Sequence, residues 1–135
     1  MRTKLFLLTI LICTPLSVFA CDNAEFSIGQ EFSLQIGESA SIKGEKLQIR
    51  FLEVTEDSRC PRDAICVWEG RIICMVEITY RGSLHRLELT EPGSTSWPPE
   101  IVFKDYQIAY HVEPYPHTGT KIMEDEYRLY LKINK

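Results

Sequence analysis

Apolar and polar side chains alternate along most of the chain from about residue 30 onwards. The clearest runs are residues 72–80, 106–112 and 127–133, in which every second side chain is apolar. A period of two places these side chains on one face of a β-strand, whereas an amphipathic helix needs a period near 3.6. No stretch shows the longer period convincingly, so the pattern predicts an all-β domain.

Glycine and proline turns divide this pattern into seven or eight short strands. Within residues 47–54 the apolar positions change phase, which predicts a β-bulge near Phe51 and Leu52. Each strand has one apolar face, and such faces are covered when two sheets pack together or one sheet closes on itself. We therefore predict a small single-domain sandwich or barrel of mainly antiparallel strands over residues 26–135.

The first twenty residues have the pattern of a signal peptide. A short basic segment, Met1–Lys4, precedes an apolar run over residues 5–18, and Ala20 offers the small side chain that a signal peptidase requires. The apolar run is too short for a stable transmembrane helix. The sequence therefore predicts export, with removal of residues 1–20.

Cys21 directly follows the predicted cleavage site. The run Val18–Cys21 resembles the lipobox of bacterial lipoproteins, in which the cysteine is acylated and becomes the mature N-terminus. Acyl chains would anchor the domain to a membrane of the cell envelope, facing the periplasm or the exterior, with residues 21–25 as a tether. The alternative is ordinary cleavage after Ala20, which gives a soluble periplasmic or secreted protein.

Removal of residues 1–20 takes Arg2 and Lys4 away and leaves 13 basic and 19 acidic residues, a net charge of −6. Nucleic-acid binding needs a basic face, so this balance argues against a nucleic-acid partner. We expect the partner to be a protein or another component of the envelope.

Cysteine usage fits an oxidising compartment. Five residues separate Cys60 from Cys66, and we predict a disulfide between them that stabilises the fold by about 2–3 kcal/mol. Metal binding by these thiols is disfavoured, because structural zinc sites use short spacings such as C-x₂-C. Cys74 lies on an apolar face, which indicates an inert buried thiol. If Cys21 is not acylated, a Cys21–Cys74 bridge is the alternative.

The loop of residues 55–70 is crowded with charged side chains: Asp57, Arg59, Arg62, Asp63 and Glu69. These side chains form either an interaction surface, with Asp57, Asp63 and Glu69 as an alternative cation site, or internal salt bridges. The calcium-loop spacing D-x-D-x-D-G is absent, and Asp57 can pair with Arg59 two residues later. We favour internal salt bridges.

Two aromatic side chains complete the candidate interaction residues. Trp68 follows Cys66 closely, and we expect it to cover the disulfide as a core plug rather than to serve as a ligand platform. Tyr115 lies between Pro114 and Pro116. With Trp97 and its neighbouring prolines, it forms either an exposed ledge for a partner or two strand exits that pack on each other.

Several segments resemble a known group of proteins. The stretch Glu56–Pro61 followed by Cys66–Gly70, the later run Val112–Pro116 and the aliphatic–tyrosine strand over residues 127–133 are similar to small exported bacterial proteins of uncharacterised function. The resemblance spans roughly residues 31–134 and implies a fold and a location but no activity. This chain differs at Glu69, where most such proteins have alanine.

Catalytic motifs are absent from the sequence, including G-x-S-x-G, a glycine-rich phosphate loop and H-E-x-x-H. We therefore expect no catalytic residue, cofactor or metal. The leading hypothesis is a non-enzymatic, envelope-anchored domain that binds a partner through residues 55–70 or the proline–aromatic loops. The alternative is an exported protease inhibitor that presents residues 59–67. A redox protein with a reactive thiol at Cys60, Cys66 or Cys74 is a third hypothesis.

Overall fold

The computed structural model describes residues 24–94 and 97–135. The predicted signal peptide and Cys21 lie outside the described residues. The described residues form nine strands: β1 (Ala24–Phe26), β2 (Glu31–Gln35), β3 (Ser39–Ile42), β4 (Leu47–Asp57), β5 (Arg71–Tyr80), β6 (Ser83–Pro92), β7 (Glu100–Phe103), β8 (Tyr106–Glu113) and β9 (Arg128–Asn134). A short 3₁₀ turn, Glu124–Glu126, precedes β9.

The strands form two sheets that enclose one core. The five-stranded sheet has the order β1-β3-β4-β5-β6, and the four-stranded sheet has the order β2-β9-β8-β7. Only β1 and β3 are parallel neighbours in the described sheets. The predicted all-β sandwich is confirmed, with nine strands instead of seven or eight.

The two additional strands are short and lie at sheet edges. β1 has only three residues, and β7 has three consecutive apolar residues in place of an alternating pattern, so neither is recognised from sequence. β1 begins at Ala24, so the last two residues of the predicted tether belong to the sheet. Within the described residues no helix is long and apolar enough to cross a membrane.

The core lies between the sheets and is built from the alternating positions. The inner faces of the strands other than β1 and β7 contribute side chains that are at least 95% buried, including Ile42, Ile49, Phe51, Val76 and Ile78 from one sheet and Phe32, Leu34, Ile108, Leu129 and Leu131 from the other. Each such side chain stabilises the fold by roughly 1.5–3 kcal/mol through its removal from water. The hydrophobic effect therefore holds the two sheets together.

Pairing between β4 and β5 is interrupted twice. The register shifts between Phe51 and Glu53, which confirms the predicted bulge, and again between Val54 and Glu56, which was not predicted. Bulges bend a strand and increase its twist. After the second shift β4 continues to Asp57, which pairs with Ile72 and leads into the disulfide loop.

β5 defines the two ends of the sandwich. Its last residue, Tyr80, precedes the β5–β6 turn, and the centre of the Tyr80 ring lies 6.0 Å from the centre of the Phe103 ring. Its first residue, Arg71, follows the loop that contains the disulfide. The loop residues therefore lie at the other end, which we call the disulfide end, where β6 and β8 also finish.

Candidate functional site

Three segments meet at the disulfide end. They are residues 58–70, the chain after β6, and residues 113–118, which begin at the last residue of β8. Backbone hydrogen bonds join them: Cys60 N–H to Glu69 O at 2.9 Å, Gly93 N–H to Gly70 O at 3.0 Å, and Arg62 N–H to Pro116 O at 3.2 Å. The segments therefore form one surface, although far apart in sequence.

Arg59 connects these segments from inside. Its side chain is fully buried, and it forms a bidentate pair with Asp57 at 2.8 Å from Nε to Oδ1 and 2.7 Å from Nη2 to Oδ2. Nη1 donates to the carbonyl oxygen of Val112 at 2.8 Å, and Nη2 donates to that of Pro114 at 3.0 Å. The guanidinium thus fixes the loop to the end of β8, and the internal ion pair favoured by the sequence is present.

The charge on Arg59 is retained despite its burial. Desolvation alone would lower the pKa of Arg59, but the hydrogen bonds and charge of Asp57 raise it above the usual arginine value. The Tyr127 hydroxyl also donates to Asp57 at 3.0 Å. Burial and the Asp57 carboxylate raise the pKa of Tyr127 to about 12, so this hydroxyl keeps its proton. Within the described residues no buried side-chain nitrogen or oxygen lacks a partner.

Two glycines let the backbones of the segments approach closely. Gly70 has φ +69°, and a Cβ atom there would lie 1.8 Å from the carbonyl oxygen of Ser58. A Cβ atom at Gly93 would lie 2.1 Å from the carbonyl oxygen of Glu69. Any other residue at either position would force these backbones apart, so glycine is required for the close packing of the disulfide loop against its neighbours.

The predicted disulfide between Cys60 and Cys66 is confirmed, with their Cα atoms 5.9 Å apart. Inside this ring, Ala64 N–H donates to Pro61 O at 3.1 Å and closes a turn. The Asp63 carboxylate accepts the backbone N–H of Thr118 at 2.8 Å, a hydrogen bond that lowers the pKa of Asp63. Asp63 therefore anchors the ring to the segment after β8.

Tyr115 ties the same segments together from the surface side. Its hydroxyl donates to the carbonyl oxygen of Gly93. The guanidinium carbons of Arg59 and Arg62 each lie 4.9 Å from the centre of its ring. Arg62 also lies 3.6 Å from the Glu113 carboxylate, in an exposed pair that contributes little stability. Tyr115 therefore packs against the end of β6 and the disulfide loop, whereas Trp97 is 82% exposed.

The prediction that Trp68 is a core plug is wrong. Trp68 is 74% exposed, and Ile65 and Val67 are fully exposed. The side chain that the loop buries is instead Arg59, because Asp57 and two backbone carbonyls satisfy its guanidinium there. We call Ile65, Val67 and Trp68 the apolar tip. Neighbouring apolar side chains exposed together on a folded domain are typical of interaction sites.

Cys74 is buried on the inner face of β5. Desolvation and the nearby Glu91 charge raise its pKa to about 12. Because thiol chemistry requires the thiolate, this side chain is unreactive in the native state. The expected buried thiol is therefore present at this position.

Glu91 is a residue that the sequence reasoning missed. It is half-buried, and its Oε2 atom accepts the N–H of Val112 at 2.8 Å, which joins the two sheets. Desolvation raises the pKa of Glu91, although this hydrogen bond and the Arg59 charge oppose the shift. Glu91 shares one strand face with Leu87 and Leu89, so an acidic residue in an apolar period was the available signal.

The three carboxylates of the alternative cation site have separate partners. Asp57 pairs with Arg59, Asp63 accepts from Thr118, and Glu69 accepts from the Ser94 hydroxyl. Within residues 24–94 and 97–135 no group of three or more histidine, cysteine or acidic side chains is arranged to hold a metal ion.

No protein-family model matches the chain, and searches of curated proteins and of solved structures find no similar protein. The resemblance to small exported bacterial proteins therefore stays a prediction.

Replacement of Arg59 by methionine should destabilise the fold by about 3–5 kcal/mol, because it leaves the partly buried Asp57 carboxylate without its cation. Arg71→Met is the matched control, since Arg71 pairs with Glu56 at 3.3 Å in an exposed position and should cost about 0.5 kcal/mol or less. Arg59→Lys should lie between them. Urea unfolding measures the free energy of unfolding of all three variants. Equal decreases in this free energy for Arg59→Met and Arg71→Met would contradict the role of Arg59.

Native Cys74 should resist alkylation by iodoacetamide at pH 8, whereas the urea-unfolded protein should react fully. The pKa of Cys74 is raised from 9.0 to about 12, so between those values the unfolded state releases its proton first and stability falls as pH rises. Peptide mapping locates the adduct and separates Cys74 from Cys21. Rapid modification of Cys74 in folded protein at pH 8 would contradict this account.

Proposed function

We propose that this protein is an exported, non-enzymatic binding domain that holds a protein partner of the cell envelope on its apolar tip. The observation that carries the proposal is the exposure of Ile65, Val67 and Trp68 on a loop fixed from below by buried Arg59. Rigid loops lose little conformational entropy on binding, which favours affinity. Tryptophan is enriched among residues that dominate interface energies.

The N-terminal sequence pattern and the disulfide support the proposed location of the protein. The Cys60–Cys66 disulfide is compatible with an exported protein. We propose that Cys21 is acylated and tethers the domain to the membrane. Because β1 begins at Ala24, only Asp22 and Asn23 separate Cys21 from the folded domain. Three residue steps from Cys21 to Ala24 can span at most about 10 Å, so a tethered domain would remain close to the membrane.

The redox hypothesis receives less support from the cysteines. Cys60 and Cys66 are joined to each other, and burial suppresses ionisation of Cys74. The protease-inhibitor alternative uses the same disulfide loop, and exposed Ile65 is the side chain that an apolar protease pocket would accept. Under that alternative the partner on the loop would be a protease.

A photoreactive amino acid at position 67 should capture a partner in intact cells, whereas the same amino acid at position 102 should not. Val102 is the matched control, because it is 75% exposed and lies on β7 next to Phe103, at the end away from the disulfide. Trp68→Ala should reduce capture at position 67 at least tenfold, as expected for a residue that contributes about 2 kcal/mol.

The captured adduct should fractionate with membranes and give one defined mass. Equal capture at positions 67 and 102, or capture at position 67 that Trp68→Ala does not reduce, would contradict the binding proposal. A protease identified in the adduct, together with inhibition of its activity by the purified domain, would favour the inhibitor alternative.

A further inference from the structure

We infer that a groove beside the disulfide end binds an organic cation, an alkylguanidinium or alkylammonium group such as those of arginine and lysine side chains. The inference is independent of the apolar tip, because the groove is a separate concave surface whose tryptophan is Trp97 rather than Trp68.

The groove encloses about 540 Å³, within the usual size of small-ligand pockets. It lies between the end of β6, residues 97–98, and the end of β8. Its lining includes Glu31, Arg62, Glu91, Trp97, Glu113 and Tyr115. Strands or anchored strand exits supply most of them, so much of the groove is formed before a ligand arrives.

Carboxylates outnumber basic groups in the groove, because three glutamates line it together with the guanidinium of Arg62 and the imidazole of His111. The guanidinium of Arg62 lies 3.6 Å from Glu113, and the charges of Arg59 and His111 act on Glu91, so Glu31 is the carboxylate with the greatest freedom to attract a ligand. Glu91 accepts one hydrogen bond from Val112 N–H, and its carboxylate is partly withdrawn from water. Partial desolvation strengthens the attraction between a carboxylate and an incoming cation.

Aromatic rings provide the second part of the recognition. Trp97 is 82% exposed, so a face of its indole is available to a ligand. Tryptophan is the best partner for a cation over a ring, and the attraction at exposed sites is worth about 0.5–1 kcal/mol. The alkyl stem of an organic cation would also cover part of the exposed indole, which should favour an organic cation over a metal ion.

The protein already shows this mode of binding within itself. The guanidinium carbon of Arg62 lies 4.9 Å from the ring centre of Tyr115 while the group contacts Glu113. An external guanidinium would use the same pairing of ring and carboxylate at Trp97, Glu31 and Glu91. Arg62 would repel that ligand, so its removal should strengthen binding.

The test uses mature protein labelled with 5-fluorotryptophan, which gives two ¹⁹F signals because the chain has two tryptophans. Trp68→Phe and Trp97→Phe assign the signals. Titration with acetyl-arginine amide should shift the Trp97 signal saturably and leave the Trp68 signal unchanged. Acetyl-citrulline amide, a neutral molecule of nearly the same shape, should produce no saturable shift.

Variants should change the affinity in opposite directions. Glu31→Gln should weaken binding of acetyl-arginine amide about threefold, and Arg62→Gln should strengthen it by a similar factor, because each alters one unit charge near the ligand. Glu124→Gln is the control, since Glu124 is exposed in the 3₁₀ turn outside the groove and should leave affinity unchanged. Added salt should weaken binding.

The inference is overturned if the Trp97 signal does not shift saturably, or if the neutral citrulline compound binds equally well. It is also overturned if acetyl-glutamate amide binds and Arg62→Gln abolishes that binding, because the groove would then be an anion site. Val67→Ser leaves every groove residue in place and should not affect the titration. Failure of the partner-capture experiment therefore has no bearing on this result.

Discussion

The disulfide end depends on a guanidinium group that has been removed from water. Arg59 donates four hydrogen bonds, two to Asp57 and two to the backbone carbonyls of Val112 and Pro114. Desolvation of an ion costs several kcal/mol, and only good geometry offsets it. The bidentate pair and the fixed carbonyls provide that geometry, so the loop, β4 and the exit of β8 must keep their relative positions.

The side chains of the disulfide loop divide into buried and exposed ones. The loop buries Arg59, whereas Trp68 remains exposed with Ile65 and Val67. The close backbone contacts at Gly70 and Gly93 then hold the loop against β6. An apolar tip on a fixed base is the arrangement expected of a binding loop, because binding requires little further ordering.

Sequence alone predicts the parts of the structure that depend on local periodicity. The runs 72–80 and 106–112 lie in β5 and β8, and the phase change at Phe51 locates a bulge. The disulfide follows from spacing and compartment. Strands β1 and β7 were missed because β1 has only three residues and β7 has consecutive apolar residues in place of an alternating pattern.

The candidate site was less predictable because its contacts join distant segments. The pairing of Arg59 with Asp57 spans two residues and was accessible from sequence, whereas its bonds to Val112 and Pro114 span 53 and 55 residues. The burial of Arg59 depends on those long-range contacts and could not be predicted from sequence. The expectation that Trp68 covers the disulfide was wrong for the same kind of reason, because burial depends on contacts between distant segments. The groove similarly brings together residues of β2, β6 and β8 that are far apart in sequence.

The central claim is that the apolar tip is both exposed and rigid. Backbone ¹⁵N relaxation of the Ile65, Val67 and Trp68 amides in the mature protein tests it directly. We predict backbone order parameters of about 0.85 for these three residues, equal to the order parameters of β5, although their side chains are exposed. Values below about 0.6 would show a flexible loop and contradict the account, because a mobile tip would not be a surface prepared for a partner.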